Sequence, residues 1–202
     1  KQKEQFDFPT GEITVLGFDV THFDSGHSLR QVYDAFMFFI GNQEICVSTE
    51  LGVLTIRESE DYGESTYRQT RFLSSLPEGL EIESNAVMFA ACVDGTTDKL
   101  DGYAVGFVEY VDEDELYPYR PDKCGRRDMT GTVQFTEIPN VDASRPPIIV
   151  LSRWDHVRFR PPTFPMSQEM KAAARARICQ NDDIAFKVMR DRLAMVTPAA
   201  AV

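Results

Sequence analysis

The sequence is short of most marks that assign a chain at sight. No run approaches the ~18 apolar residues that cross a bilayer as a helix. The longest, Ala35 to Ile40, is far too short, so no membrane partner is expected. No charged n-region, apolar h-region and small-residue cleavage site stand at the N-terminus, so no signal peptide is read. There is no GxSxG, no GxGxxG after a strand and no GxxxxGKS/T. Nucleophile-elbow hydrolases, dinucleotide binders and P-loop NTPases are thus left without their signatures. Cysteine is scarce, and Cys46, Cys92, Cys124 and Cys179 form no CxxC pair, against a zinc ribbon or a thioredoxin-type site. All four read as reduced thiols in a cytosol-like compartment. The chain begins at Lys1 rather than Met, as a processed or partial chain would.

What is present is an ordinary globular composition over 202 residues, 43% hydrophobic and 26% charged, enough to bury a core. Fourteen Phe and seven Tyr make that core aromatic. The net charge of −11 is unevenly spread: Arg145 to Arg192 holds ten Lys/Arg and five Asp/Glu, net +5, which leaves −16 for the rest. The basic C-terminal region is therefore the one place suited to nucleic acid or an acidic surface.

Hydrophobic patterning gives mainly strands. Ile13 to Val20 reads as a strand covered on both faces. Leu29, Val32, Tyr33, Phe36, Met37 and Ile40 follow the helix period, with Ser28 as cap and Gly41-Asn42 as stop. Gln43 to Ser48 and Leu51 to Arg57 read as strands of a hairpin. Ala86 to Val93 and Tyr103 to Val111 are the clearest strands and predict an antiparallel pair. Asp112 to Lys123 reads as a long surface excursion. Ile148 to Phe159 reads as a long strand whose apolar face switches midway, Ile149 and Leu151 and then Val157 and Phe159, with Arg153 and Asp155 between, which predicts a bulge or a strand leaving the sheet. Arg160-Pro161-Pro162-Thr163-Phe164-Pro165 cannot continue a helix or a central strand. Beyond it, Ser167 caps a helix, Asn181-Asp182-Asp183 reads as a break, and Ile184 to Val196 as a second helix. The expected fold is mainly β: an antiparallel β-sandwich, jelly-roll-like, or a barrel, with one internal helix and a C-terminal helical tail. The expected division is a β domain over 1–160 and a Pro-rich arm and helical tail over 161–202.

Candidate chemistry is thin. His22 and His27 share a loop with Asp24 and Ser25, but their spacing fits neither HExxH nor one strand face, and they read as surface histidines. Asp94, Asp98 and Asp101, with Thr96, offer oxygens in a Gly-flanked loop, the ligand type calcium prefers; without the EF-hand glycine and glutamate the expectation is no cofactor, or calcium at an interface. Asp112 to Glu115 reads as a solvated acidic run. Cys124 stands beside Arg126 and Arg127, whose charge would lower the thiol's pKa; the two arginines read as a contact to an acidic partner. Phe36 to Phe39 reads as core.

In architecture alone, the strands, long loops, Pro-rich arm and charged helical terminus resemble coat subunits of small icosahedral viruses. That resemblance implies a non-enzymatic subunit that assembles with copies of itself or related subunits, in the cytoplasm or a virion. Partner contact would then fall to Arg175, Arg177, Met189, Arg190 and Leu193 on the tail. The second reading is a small-molecule-binding β-barrel or hydrolase-type enzyme with polar residues converging on an internal pocket. The third is an accessory subunit of a larger cellular complex.

Overall fold

The computed structural model describes residues 1–23, 26–60, 67–93, 102–141 and 145–196. The expected mainly β fold is there, as eight strands in one open sheet. In chain order these are β1 (Gln2–Asp7), β2 (Ile13–Phe23), α1 (Leu29–Gly41), α2 (Gln43–Leu51), β3 (Leu54–Glu60), β4 (Tyr67–Ser75), β5 (Glu81–Val93), β6 (Tyr103–Tyr110), β7 (Gly125–Ile138), β8 (Ile148–Arg160) and α3 (Gln168–Ala194). The sheet order is β1-β2-β8-β7-β6-β5-β4-β3, with antiparallel neighbours. The expected β5–β6 pairing holds, with Ala86 opposite Tyr110 and Val93 opposite Tyr103. β5 and β7 both outrun the short β6, and there Ile82 and Glu83 pair in parallel with Gly125 and Arg126. The sheet folds onto itself at that end, which makes its inner face concave.

Alternation assigns the inner face strand by strand. Ile13 and Val15 of β2, Phe135 of β7 and Leu151, Val157 and Phe159 of β8 are buried. Two helical layers cover them. α1 begins with a reciprocal capping box: the Gln31 amide donates to Ser28 Oγ (3.2 Å), and the Ser28 amide donates to Gln31 Oε1 (2.9 Å), satisfying two otherwise orphaned donors. It lays Val32, Tyr33, Ala35 and Phe39 on the sheet, where the Tyr33 and Phe36 rings meet Phe135 edge-on.

Two local expectations are corrected. Gln43–Ser48, read as a strand, begins α2. Asn42 ends α1, its side chain donating to the Phe38 carbonyl (2.8 Å), and the helix restarts at once. The Ile-Cys-Val run favours strand only in a pleated context; here Val47 enters the core with Cys46 and Leu51 against it. Arg57 of β3 locks the α1–α2 corner, donating to the Gly41 carbonyl (2.7 Å) and Glu44 (3.2 Å).

The tail is one helix, not two. α3 runs 27 residues through Asn181-Asp182-Asp183, roughly 40 Å at the usual rise. Ser167 caps it as expected, accepting from the Met170 amide (3.2 Å). Ala174, Ile178 and Ile184 join the core beneath α2, and Met189 and Leu193 join the core beneath α1. Burial on both sides of the polar triplet outweighs its tendency to break the helix. The tail therefore shares both cores with the sheet, against the expectation that residues 161–202 pack on a partner.

The outer face divides in two. One half carries an exposed aromatic row in register across neighbouring strands: Phe18, Trp154, then Thr132, Phe107, Phe89 and Tyr67. The other half is charged and lies under the segment 111–124.

Candidate ligand cavity

Between α1 and the concave face lies a cavity of about 280 Å³. Small side chains line it on β5, at Ser84, Ala86 and Ala90, and Gly106 of β6 and Gly131 of β7 border it. Gly106 is itself tightly overlain, since a Cβ there would stand 2.8 Å from Val133 Cγ1. Phe72, Met88, Val108, Met129 and Val133 surround these small residues, and Phe36, Met37 and Ile40 of α1 form the opposite wall. The lining is thus mainly apolar. Phe36, Met37 and Phe39 pack with the core as expected and also line the cavity, whereas Phe38, read as core with them, is exposed.

A few charged groups break the apolar lining, the pattern of a small-molecule site. Arg153 and Asp155 both line the cavity, with Nε to Oδ1 at 3.4 Å. β8 pairs without interruption with β2 and β7 through both residues, so neither the expected bulge nor a departure from the sheet occurs. Ile149, Leu151, Arg153, Asp155, Val157 and Phe159 are all odd positions on one inner face; the polar pair marks the cavity. Asp155 is 1% exposed. The Arg153 guanidinium also stacks over the Phe186 ring of α3 (5.4 Å to the centroid).

Arg127 of β7 is the second charged feature. It lines the cavity, is 7% exposed, and lays Nη2 3.4 Å from Met129 Sδ. It follows directly on the β5–β7 pairing, as does Ser84 on the facing strand, so both belong to the closed end. Arg177 of α3 is buried nearby: burial, and next the positive charge of Arg127, pull its guanidinium down to about 10. Arg68 lines the cavity from an exposed position on β4 and marks the mouth with Gln43.

Arg126 points the other way. It bonds Asp128 Oδ1 (2.8 Å) and the carbonyls of Asp112 and Val111, and Asp128 also takes Arg158 (3.0 Å) and Arg160 (2.7 Å). Alongside, Arg71 bridges Glu58 and Glu83, and Asp114 accepts from Gln69 (2.9 Å) and Asn85 (2.6 Å). Tyr117 and Tyr119 of the segment 111–124 cover Arg71 and Arg126. Arg126 and Arg127, read as a contact to an acidic partner, are both buried, one in this network and one at the cavity. Of the run read as solvated, Asp112, Glu113 and Glu115 are exposed, Asp112 reaching Arg160 from the surface, while Asp114 is drawn into the network.

The other sequence candidates scatter. Cys124 is buried, and burial followed by the charge of Glu83 pushes its thiol up to about 11, against the expected activation; its arginine neighbours face elsewhere. Cys46, Cys92 and Cys124 are free thiols. His22 is exposed at the end of β2, His27 is buried with Nε2 3.2 Å from the Val196 carbonyl, and His156 lies opposite Leu16, six residues along β2 from His22. Among the described residues no cluster of three or more His, Cys, Asp or Glu suits a metal. Asp94, Asp98 and Asp101 lie outside the described residues. No described helix is long and apolar enough to cross a membrane.

The proposed partner set comes apart. Met189 is 1% and Leu193 4% exposed, so α1 and the sheet have already claimed the apolar face meant for a neighbour. Arg177 is buried. Arg175 pairs with Asp7 of β1 (2.6 Å), and Arg190 borders a shallow polar cleft between β2 and α3.

No family model matches the chain, and no curated protein matches its sequence. Similar solved structures include a conserved protein from Geobacillus kaustophilus, at 10% identity over 89% of this chain and 95% of that one, TM-score 0.42. The di-domain ARO/CYC BexL from the BE-7585A biosynthetic pathway aligns at 12% identity over 91% of this chain and 51% of that one, TM-score 0.44, so the chain spans about half its length. Ara h 8.0201 aligns at 9% identity over 90% and 99%, TM-score 0.38. At these scores the likeness assigns no activity to this chain.

Proposed function

We propose that this chain binds a small, mainly apolar molecule in the cavity between α1 and the sheet. The observation that carries the reading is the hollow itself, lined on β5 by the small side chains of Ser84, Ala86 and Ala90 opposite α1. Larger side chains at these positions would fill the space and gain dispersion contacts that the hollow forgoes. A ligand that fills it returns those contacts. This reading takes the place of the assembly reading, which needed the apolar face of α3 for a neighbour.

The test is titration with the neutral fluorophore N-phenylnaphthylamine. Saturable, blue-shifted emission is expected from the wild-type chain. Ala90→Phe, which fills the hollow from β5, should abolish it while circular dichroism keeps the native spectrum. Absence of saturable binding, or binding that survives Ala90→Phe, overturns the reading.

A further inference from the structure

We infer that Arg57 is the latch of the cavity: ligand passes where the α1–α2 corner lifts from β3 and β4, and the contacts of Arg57 set how fast it lifts. This concerns how the proposed ligand site opens, and it rests on that reading.

The corner stands on the rim of the cavity. Ile40, near the end of α1, and Gln43, the first residue of α2, both line it. Between them Asn42 has φ −125° and ψ 23°, outside the helical range, so the chain turns there and the two helices are separate levers. One guanidinium ties both levers to the sheet. Arg57 Nη1 donates to the carbonyls of Gly41 (2.7 Å) and Ile40 (3.4 Å) and to Glu44 Oε2 (3.2 Å). The first two are carbonyls at the C-terminal end of α1, where a cation is favoured, and Glu44 lies in the first turn of α2, where an anion is favoured. The same guanidinium lies over the ring of Phe72 (5.8 Å to the centroid), its partner across β3–β4 and itself a wall of the cavity. The latch and the cavity thus share a side.

The apolar grip beneath the corner is light. α1 buries Leu29, Val32, Tyr33, Ala35 and Phe39, whereas α2 buries Val47, with Cys46 and Leu51 partly covered, and leaves Ile45 60% exposed. Segments with little buried apolar surface open first. The far half of α2 is the fixed point, since Val47 enters the core and Ser48 Oγ accepts from the Thr55 amide (3.1 Å). The first turn of α2 can therefore swing while its second holds. Arg57 Nε is buried with no hydrogen-bond partner among the described residues, a cost of the closed state that contact with water relieves.

The test is stopped-flow binding of N-phenylnaphthylamine over a series of protein concentrations, which gives association and dissociation rates. Arg57→Met should raise both rates at least about tenfold and leave the dissociation constant within about twofold, because a gate governs entry and exit alike. Glu44→Gln, which keeps the carbonyl bonds, should raise both rates by less. Arg175→Met breaks an ion pair with Asp7 of β1, at the opposite edge of the sheet, and should leave both rates unchanged. Unchanged rates in Arg57→Met, a change in one rate alone, or equal acceleration by Arg175→Met overturns the inference and leaves the cavity a ligand site. If Arg57→Met does not fold, Glu44→Gln decides, and wild-type rates in that variant overturn the inference. If the wild-type chain shows no saturable binding, both the inference and the ligand-binding reading fall.

Discussion

Gly17 of β2 and Asp155 of β8 face each other across their ladder so closely that a Cβ on Gly17 would stand 2.5 Å from Asp155 Oδ1. On the other flank a Cβ at Gly131 would stand 3.0 Å from the Trp154 carbonyl and 3.4 Å from Asp155 Cβ. The buried carboxylate thus sits in a slot that two glycines leave open in the middle of the sheet. Gly17→Ala forces Asp155 off its place beside Arg153. The expected cost is about 1–3 kcal/mol, the range for overpacking a filled interior, read as a lower urea midpoint. Gly41→Ala is the control: a Cβ there meets nothing within 4 Å, and alanine is the better helix former by up to about 1 kcal/mol. An unchanged midpoint in Gly17→Ala would mean that Asp155 moves aside freely and that the slot has no structural weight.

Asp128 anchors the charged half of the outer face. Burial would raise its carboxyl, but hydrogen bonds from Arg160 and Arg158 and the charges of Arg160 and Arg126 outweigh burial and hold it below the usual carboxylate range. Asp114 is likewise held low: desolvation is outweighed by bonds from Asn85 and the Tyr117 and Leu116 amides. A carboxyl whose pKa falls on folding stabilises the native state above its unfolded value, about 4, and loses that contribution as pH drops through the native value. Acid should therefore loosen the cover formed by residues 111–124 from about pH 4 downward. Asp128→Asn removes the charge shared by three arginines and should cost about 3–5 kcal/mol at neutral pH. Its denaturation midpoint should also vary less with pH below 4 than that of the parent chain, and parallel curves would remove Asp128 from the acid transition.

Trp154 is the sole tryptophan and stands on the aromatic row of the outer face, 43% exposed. Its emission should be that of a partly hydrated indole, and iodide should quench it in the native chain. Protection from iodide that disappears on dilution would show that copies of the chain cover this face, the one route by which self-association regains support.

Much of the sheet was legible because apolar alternation is a local signal. Ala86–Val93 and Tyr103–Val111 flank one polar loop and pair as their pattern dictates. Ser28 announces α1 through a side chain that reaches only three residues. What local pattern could not give was the use of each face. The Ile45-Cys46-Val47 run has strand character and becomes helix because Val47 meets a core assembled from distant strands. The cavity was readable in part: Arg153 and Asp155 keep the parity of Leu151 and Val157, and charges on the apolar face of a strand mark a polar spot inside. Arg127 gave no such signal, since Arg126 beside it is equally charged and only the fold sends one outward and the other in. The small residues Ser84, Ala86 and Ala90 on one face of β5 matter only once α1 is placed opposite them.

The tail supplies the sharpest test, because the sequence and the structure demand opposite results. As an assembly arm, Ser167 to Val202 would be dispensable to the fold. In the structure Ala174, Ile178, Ile184, Met189 and Leu193 are all buried against the sheet, α1 and α2. Deleting the segment would bare apolar surface on both cores at ~25 cal/mol per Å², on a scale that rivals the 5–15 kcal/mol of a typical domain. The truncated chain should be unfolded or aggregated, with no cooperative thermal transition. Aggregation alone is ambiguous, so a point substitution sharpens the test. Met189→Ala removes a side chain 1% exposed that packs in the cluster with Phe135 and Leu151, and should cost about 2–5 kcal/mol. Lys187→Ala, two residues away, breaks an exposed pair with Glu50 (2.6 Å), a kind of contact worth at most about 1 kcal/mol, and should leave the midpoint nearly where it was. Equal, small effects from Met189→Ala and Lys187→Ala would mean that α3 is not docked on the sheet in solution, and the cavity beside it would lose one of its walls.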